Sequence, residues 1–153
     1  GFKRSPFAIA RKGNLANVRP EDILSQVIND LVKSTNINRD DIEDIIAGCA
    51  YPEGEQGFNI GRFIGLLAAL PPTVSAQTVN RLCGSSMTGM HTAAAMIMAG
   101  QGDVYLCGGV EHMGHVPMNH GIDFNPQMSK FCAKACETPQ QTYATSARRR
   151  API

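Results

Sequence analysis

The segment from Val74 to Gly108 constrains the fold most, because it predicts a strand, a helix and a second strand in succession. Val74–Asn80 has β-type character, residues 84–99 form an apolar helical segment, and 104–108 form another β-type run. Two strands joined by a helix lie parallel in one sheet, and the helix packs on a face of that sheet. We therefore expect an α/β fold.

The residues before this segment continue the alternation of helices and strands. Residues 21–34 carry apolar side chains at helical spacing behind a proline and two acidic residues, and they predict an amphipathic helix. Residues 42–46 predict a short helical turn that passes into a buried strand at 47–50. Residues 58–67 predict a second helix, stopped by the Pro71-Pro72 pair. The whole order predicts a layered sheet with crossover connections.

The helix at 84–99 differs from the others in having apolar residues nearly all round. Such a helix is usually buried, so we expect it in the middle of the layers. Its methionines are then expected to fill gaps in the core rather than to line a substrate site.

Composition limits the function classes. The 153 residues, 43% hydrophobic and 18% charged, fit one globular domain with a core. A formal net charge of +1 provides no overall field that would attract nucleic acid, and no apolar stretch is long enough to span a bilayer. We therefore expect no nucleic-acid partner and no membrane span.

The five cysteines indicate the compartment. They form an odd number with no CxxC pair and no metal-like spacing, at positions 49, 83, 107, 132 and 136. This pattern is typical of reduced thiols in a reducing compartment. No secretory leader is visible, so the cytoplasm is the simplest location. The chain begins at Gly1 rather than Met, which leaves a removed organellar targeting segment open.

Cys83 is the candidate catalytic residue, because it lies between a predicted strand and a predicted helix. A helix N-terminus carries unpaired N–H groups and partial positive charge, which favour thiolate over thiol. The small residues Gly84, Ser85 and Ser86 would let a substrate approach, and their N–H groups are candidates to bind a developing anion. The alternative is a buried structural cysteine.

The histidines are weaker candidates. His112, His115 and His120 lie in a loop broken by Gly and Pro, with Glu111 as the one carboxylate at a suitable spacing. This is a poor zinc pattern, so we expect no metal and assign these imidazoles to hydrogen bonds that order the loop. His91 is expected to make packing or polar contacts. Gly108-Gly109 does not extend to a phosphate-binding motif.

Three segments carry a family resemblance. The sequence VNRLCGSSMTGM at 79–90, followed by Ile97, resembles the acyl-enzyme signature of the thiolase family. GGVEHMGHVPM at 108–118 and EQGFNIGR at 55–62 resemble the same regions of fatty-acid-degrading 3-ketoacyl-CoA thiolases. The resemblance implies a thiolase-like layered α/β/α fold, here as an incomplete N-terminal half.

The resemblance also implies a reaction. Cys83 would attack a 3-ketoacyl-CoA, release acetyl-CoA and hold the shortened acyl group as a thioester until a second CoA removes it. This is the acetyl-CoA C-acyltransferase step of fatty-acid β-oxidation. No cofactor is bound, since coenzyme A is a substrate. The implied partners are acyl-CoA and CoA, with a homo-oligomer or a complex with a multifunctional β-oxidation subunit.

Part of the family's machinery is missing from the sequence. In thiolases the remaining acid/base groups are a histidine and a second cysteine in Gly-rich segments of the C-terminal half, which we do not find here. We therefore expect residues 1–135 to be a partial thiolase N-terminal domain that is inactive alone. Residues 136–153, which include the run Arg148-Arg149-Arg150, predict a tail that is not thiolase-like.

Two other functions remain open from the sequence. One is a β-ketoacyl synthase-type condensing enzyme, which shares the architecture and a cysteine on the same kind of turn. The sequence NRLC at residues 80–83 favours a thiolase over a condensing enzyme. The other is a non-catalytic fragment that associates with a partner.

Overall fold

The computed structural model describes residues 1–118 together with 121, 125 and 127. The chain forms two compact units, Gly1–Met118 and Asn119–Ile153, and the fold given below is that of the first. The predicted boundary at residue 135 and the predicted tail at 136–153 lie outside the described residues and stay predictions, as do the surroundings of His120.

The described unit is an α/β fold, as predicted. Its elements in chain order are α1 (Pro20–Thr35), a 3-10 turn (Arg39–Asp41), β1 (Asp44–Gly48), a second 3-10 turn (Gly54–Gln56), α2 (Ile60–Leu67), β2 (Ser75–Val79), α3 (Ser85–Met98) and β3 (Tyr105–Gly109). The three strands form one parallel sheet in the order β2-β1-β3. No helix in this part of the chain has the length and apolar character needed to cross a membrane.

One predicted element is wrong. Residues 42–46 were expected to form a helical turn, but the strand β1 already begins at Asp44, and the turn is the 3-10 segment Arg39–Asp41 before it. Every residue of β1 is buried. A strand covered on both faces shows a continuous apolar run instead of alternation, so its period cannot separate it from a helical turn.

The alternating side chains of β1 place helices on both faces of the sheet. Ile45 belongs to the core cluster that includes residues of α1 and α2. The next residue, Ile46, points the other way, because a Cβ built on Gly89 of α3 would lie 3.1 Å from its Cγ2. The layers are therefore α1 and α2, the sheet, and α3, which confirms the α/β/α arrangement.

The prediction that α3 is buried nearly all round is wrong. Its buried residues are only Ser85, Gly89 and Ala93, which are spaced by four and form one face against the sheet. The methionines at 87, 90 and 98 are 53%, 48% and 88% exposed, so they do not fill the core. Burial of α3 was therefore predicted correctly only for the face formed by these three small residues.

His112 and His115 join the loop after β3 to the loop before α1. The Nε2 of buried His112 lies 3.0 Å from the Leu15 carbonyl oxygen, and its Nδ1 accepts the His115 N–H at 3.1 Å. The ring of His115 lies 2.8 Å from both Glu55 Oε2 and the Ala16 carbonyl oxygen. These bonds confirm the loop-ordering role for the two residues. Within the described ranges, no group of three or more candidate ligands could hold a metal ion.

We predict that Gly48→Ala destabilises the fold by about 1–3 kcal/mol, because overpacking at a backbone contact cannot be relieved by a rotamer change. A Cβ at Gly48 would lie 2.4 Å from the Ser86 backbone nitrogen. Gly108→Ala on neighbouring β3 is the matched control, since the nearest atom to its Cβ is Leu24 Cδ1 at 3.6 Å. Chemical denaturation measures both free energies of unfolding. Equal effects would contradict the close approach of β1 and α3.

We also predict a pH-dependent contribution of His115 to stability. The hydrogen bond to Glu55, followed by that to the Ala16 carbonyl, raises the pKa of His115. A folded-state pKa above the unfolded value of about 6.5 stabilises the fold fully below that pH, and the stabilisation is lost as pH rises through the folded pKa. The Tm difference between wild type and His115→Ala should therefore be larger at pH 6 than at pH 9. In a Glu55→Gln background this pH dependence should shrink, and an undiminished one would contradict the assignment.

Candidate active site

Cys83 lies in a fixed turn between β2 and α3 and is exposed. The side chain of Asn80 bonds both within this turn and outside it: its Oδ1 accepts the Leu82 N–H at 2.9 Å, and its Nδ2 donates to the Ala50 carbonyl at 3.0 Å. Since Ala50 follows β1, the turn is tied to the neighbouring strand's carboxyl end. Open parallel sheets commonly place ligand sites at this edge.

Leu82, directly before the cysteine, has a left-handed backbone with φ 47°. This conformation costs a non-glycine residue about 1–2 kcal/mol, and it persists only where surrounding contacts impose it. The hydroxyl of buried Ser85 supplies such contacts, because it accepts the Arg81 N–H at 2.9 Å and donates to the Leu82 carbonyl at 2.6 Å. A strained backbone held by a buried side chain thus presents the thiol.

The backbone N–H groups at the start of α3 differ from expectation. Those of Gly84 and Ser85 already donate to the carbonyls of Arg81 and Leu82, at 3.0 and 3.1 Å, so they are not available to an anion. Both are used in hydrogen bonds within the turn itself. The N–H groups of Ser86 and Met87 have no backbone acceptor in the described part of the chain, which leaves Ser86 as the one predicted donor that is still free.

The surroundings of the other two described thiols, Cys49 and Cys107, disfavour the thiolate. Burial, followed by the nearby charge of Glu111, raises the pKa of Cys49 to about 11. Burial, followed by the charge of Asp44, raises the pKa of Cys107. Cys49 is fully buried and Cys107 half-buried, whereas Cys83 is exposed. The alternative of a buried structural cysteine therefore describes Cys49 and not Cys83.

Glu111 has a structural role that the sequence does not indicate, since its spacing to the histidines suggests only a poor metal ligand. Its carboxylate accepts the Ala50 N–H at 2.8 Å and the Gln56 side-chain amide at 2.7 Å. Gln56 is fully buried and accepts the His112 N–H in turn. Together with the bond between Asn80 and Ala50, this network joins the segments that follow all three strands.

A cavity of about 760 Å³ lies between the N-terminal segment, α1 and β3. Its lining includes Cys107, His112 and Met113 but not Cys83. This cavity is thus separate from the thiol of Cys83, which is exposed.

Comparison with known proteins agrees with the sequence resemblance. The family model described as "Thiolase, N-terminal domain" matches residues 1–147. Proteins named 3-ketoacyl-CoA thiolase are 54% identical to the chain over 133 residues in Marinomonas sp. (strain MWYL1) and over 132 residues in Psychrobacter arcticus. A protein of the same name from Acinetobacter baumannii (strain AYE) is 53% identical over 132 residues.

These alignments cover 86% of this chain but only 34% of each relative. The chain therefore spans about a third of the length of the curated relatives that it matches. The strand–turn–helix around Cys83 and the parallel sheet beneath it lie within the matched residues. The resemblance predicted from three short segments is thus confirmed along most of the chain, which belongs to the thiolase family through its N-terminal domain.

Proposed function

We propose that Cys83 is the acyl-accepting nucleophile of a thiolase-type acyltransferase that acts on 3-ketoacyl-CoA. The observation that carries this proposal is the exposed thiol on a fixed turn at the carboxyl edge of the sheet. The surrounding sequence is 54% identical to proteins named 3-ketoacyl-CoA thiolase, which supports the substrate class.

The proposed chemistry has two acyl-transfer steps. The Cys83 thiolate attacks the keto carbon, the bond between that carbon and the CoA-proximal methylene breaks, and the released carbanion takes a proton to become acetyl-CoA. The shortened acyl group stays on Sγ as a thioester. The thiol of a second CoA then gives its proton to a base and attacks this thioester, which releases the shortened acyl-CoA and returns the cysteine thiolate, so coenzyme A serves as substrate rather than as bound cofactor.

The ring nitrogens of His112 and His115 are not free to supply the base for these steps. Both ring nitrogens of His112 are occupied, by the Leu15 carbonyl and the His115 N–H. Both ring nitrogens of His115 are occupied as well, by Glu55 and the Ala16 carbonyl. We propose that the chain accepts an acyl group slowly by itself, and that full turnover needs acid/base groups from the remaining two thirds of a full-length thiolase.

The remaining assignments follow the family resemblance. We propose fatty-acid β-oxidation in the cytoplasm as the setting, with acyl-CoA and CoA as small-molecule partners. A homo-oligomer, or a complex with a multifunctional β-oxidation subunit, is the proposed assembly. The second candidate function is that of a non-catalytic fragment bound to a partner, and the exposed methionine face of α3 favours it. The condensing-enzyme alternative is set aside, because the matched family is thiolase.

We predict that iodoacetamide at pH 7.5 modifies Cys83 at least tenfold faster than Cys49 or Cys107, because exposure and thiolate fraction both limit alkylation. The expectation follows from the burial of Cys49 and Cys107 and from their raised pKa values. Peptide mass spectrometry reads the three sites separately. In 6 M guanidinium chloride the rates should converge, which provides the control. Comparable rates in the folded protein would contradict the proposal.

We predict that a short 3-ketoacyl-CoA, such as the four-carbon compound, leaves an acyl group on Cys83. Intact-mass and peptide mass spectrometry should show a single acyl adduct that is removed by hydroxylamine, as a thioester is. Cys83→Ser should abolish this adduct, whereas Cys107→Ser should retain it. Acylation spread evenly over the cysteines, or none at Cys83, would overturn the assignment.

A further inference from the structure

We propose that Ser85 is a positioning residue for Cys83, acting through its side-chain hydroxyl on the backbone of the turn that carries the thiol. The inference rests on the proposed function, since it concerns the acyl transfer assigned to Cys83. It adds a residue whose side chain was not predicted to take part.

The hydroxyl of Ser85 makes two bonds that close the turn on itself. Its oxygen accepts the Arg81 N–H at 2.9 Å, and its proton goes to the Leu82 carbonyl at 2.6 Å. A hydroxyl has one proton to donate and lone pairs to accept with, so this geometry uses it in both directions. The bonds hold the two residues that immediately precede the nucleophile.

The two hydrogen bonds of the Ser85 hydroxyl are called the clasp below, and the burial of Ser85 makes the clasp rigid. Ser85 is 4% exposed, whereas Arg81, Leu82 and Cys83 around it are exposed. Ser85 is thus the anchored member of the turn and the others follow its position. Its helix packs on β1 through Gly48, where a Cβ would come within 2.7 Å of the Ser85 carbonyl carbon. The clasp therefore connects the exposed thiol to the central strand.

The left-handed backbone of Leu82 shows what the clasp controls. With φ 47°, this leucine occupies a conformation that it would leave if nothing held it. Returning Leu82 to negative φ rotates the following peptide group and moves the cysteine away from the start of α3. Misplacement of a reacting group by about 1 Å lowers rates by up to about 100-fold, so the hydroxyl acts on the reaction without touching the substrate.

The first test compares Ser85→Ala with Ser25→Ala. Ser25 is also buried, and its hydroxyl also donates to a carbonyl three residues earlier, that of Asp22 at 2.9 Å, but in α1. Both variants lose a hydrogen bond from a buried hydroxyl to a carbonyl, and Ser85→Ala also loses the one from the Arg81 N–H, so Ser85→Ala should lose at least as much stability as Ser25→Ala. At a temperature where circular dichroism shows both folded, acyl transfer from the four-carbon 3-ketoacyl-CoA to Cys83 should fall about tenfold in Ser85→Ala. In Ser25→Ala it should stay within twofold of wild type.

The second test uses amide hydrogen exchange and needs no acyl transfer. In the wild-type protein the Arg81 amide should be protected from exchange although the residue is exposed, because its N–H donates a hydrogen bond to the Ser85 hydroxyl. In Ser85→Ala this amide should exchange at least tenfold faster, while the amides of β1 change no more than in Ser25→Ala. This measurement on the wild-type chain remains decisive even where the alanine variant fails to fold.

The outcomes separate the two proposals. A wild-type chain that is not acylated at Cys83 overturns the proposed function and leaves the clasp to be judged by exchange at Arg81. Wild-type acylation that is equally fast in Ser85→Ala overturns the positioning role alone. An unprotected Arg81 amide in the wild-type protein overturns the clasp itself.

Discussion

Burial of β1 on both faces is the constraint on which the rest of this unit depends. Its side chains alternate between the core shared with α1 and α2 and the contact with α3, so one five-residue strand positions three helices. The parallel partners β2 and β3 pair along its two edges in matching register. The close contact at Gly48 then fixes how near α3 can come to the sheet. The place of Cys83 follows from that distance, because the cysteine stands directly before α3.

Periodicity and stop signals predicted most of the fold. α1, α2, β2, α3 and β3 lie within two residues of their predicted bounds, since each combines a clear pattern with a proline, glycine or polar boundary. The start of β1 was missed because a strand buried on both faces has no polar side to mark its period. The exposure of α3 was missed for a related reason. The apolar residues of α3 indicate a surface that would be more stable when buried, but they do not indicate which other residues pack against it.

The sequence proposes a candidate residue for the site but does not predict the geometry around it. Motif and context selected Cys83, and the structure adds its exposure and the raised pKa values of Cys49 and Cys107. The side chains of Ser85, Asn80 and Glu111 make hydrogen bonds to particular backbone atoms. Such bonds do not produce a periodic pattern of apolar and polar residues, so the sequence does not predict them. For the same reason the sequence assigned the N–H groups of Gly84 and Ser85 to an anion, whereas the turn uses them internally.

The methionines on the outer face of α3 have a consequence for the chemical durability of this unit. A thioether that reaches solvent is open to peroxide, and conversion to the sulfoxide replaces a flexible apolar side chain with a polar one. Met98 at 88% exposure and Met87 at 53% are the most exposed methionines of α3, and Met87 lies four residues after Cys83. Oxidation would therefore make the surface of the helix beside Cys83 more polar before it reached the core around Ile46, which is completely buried.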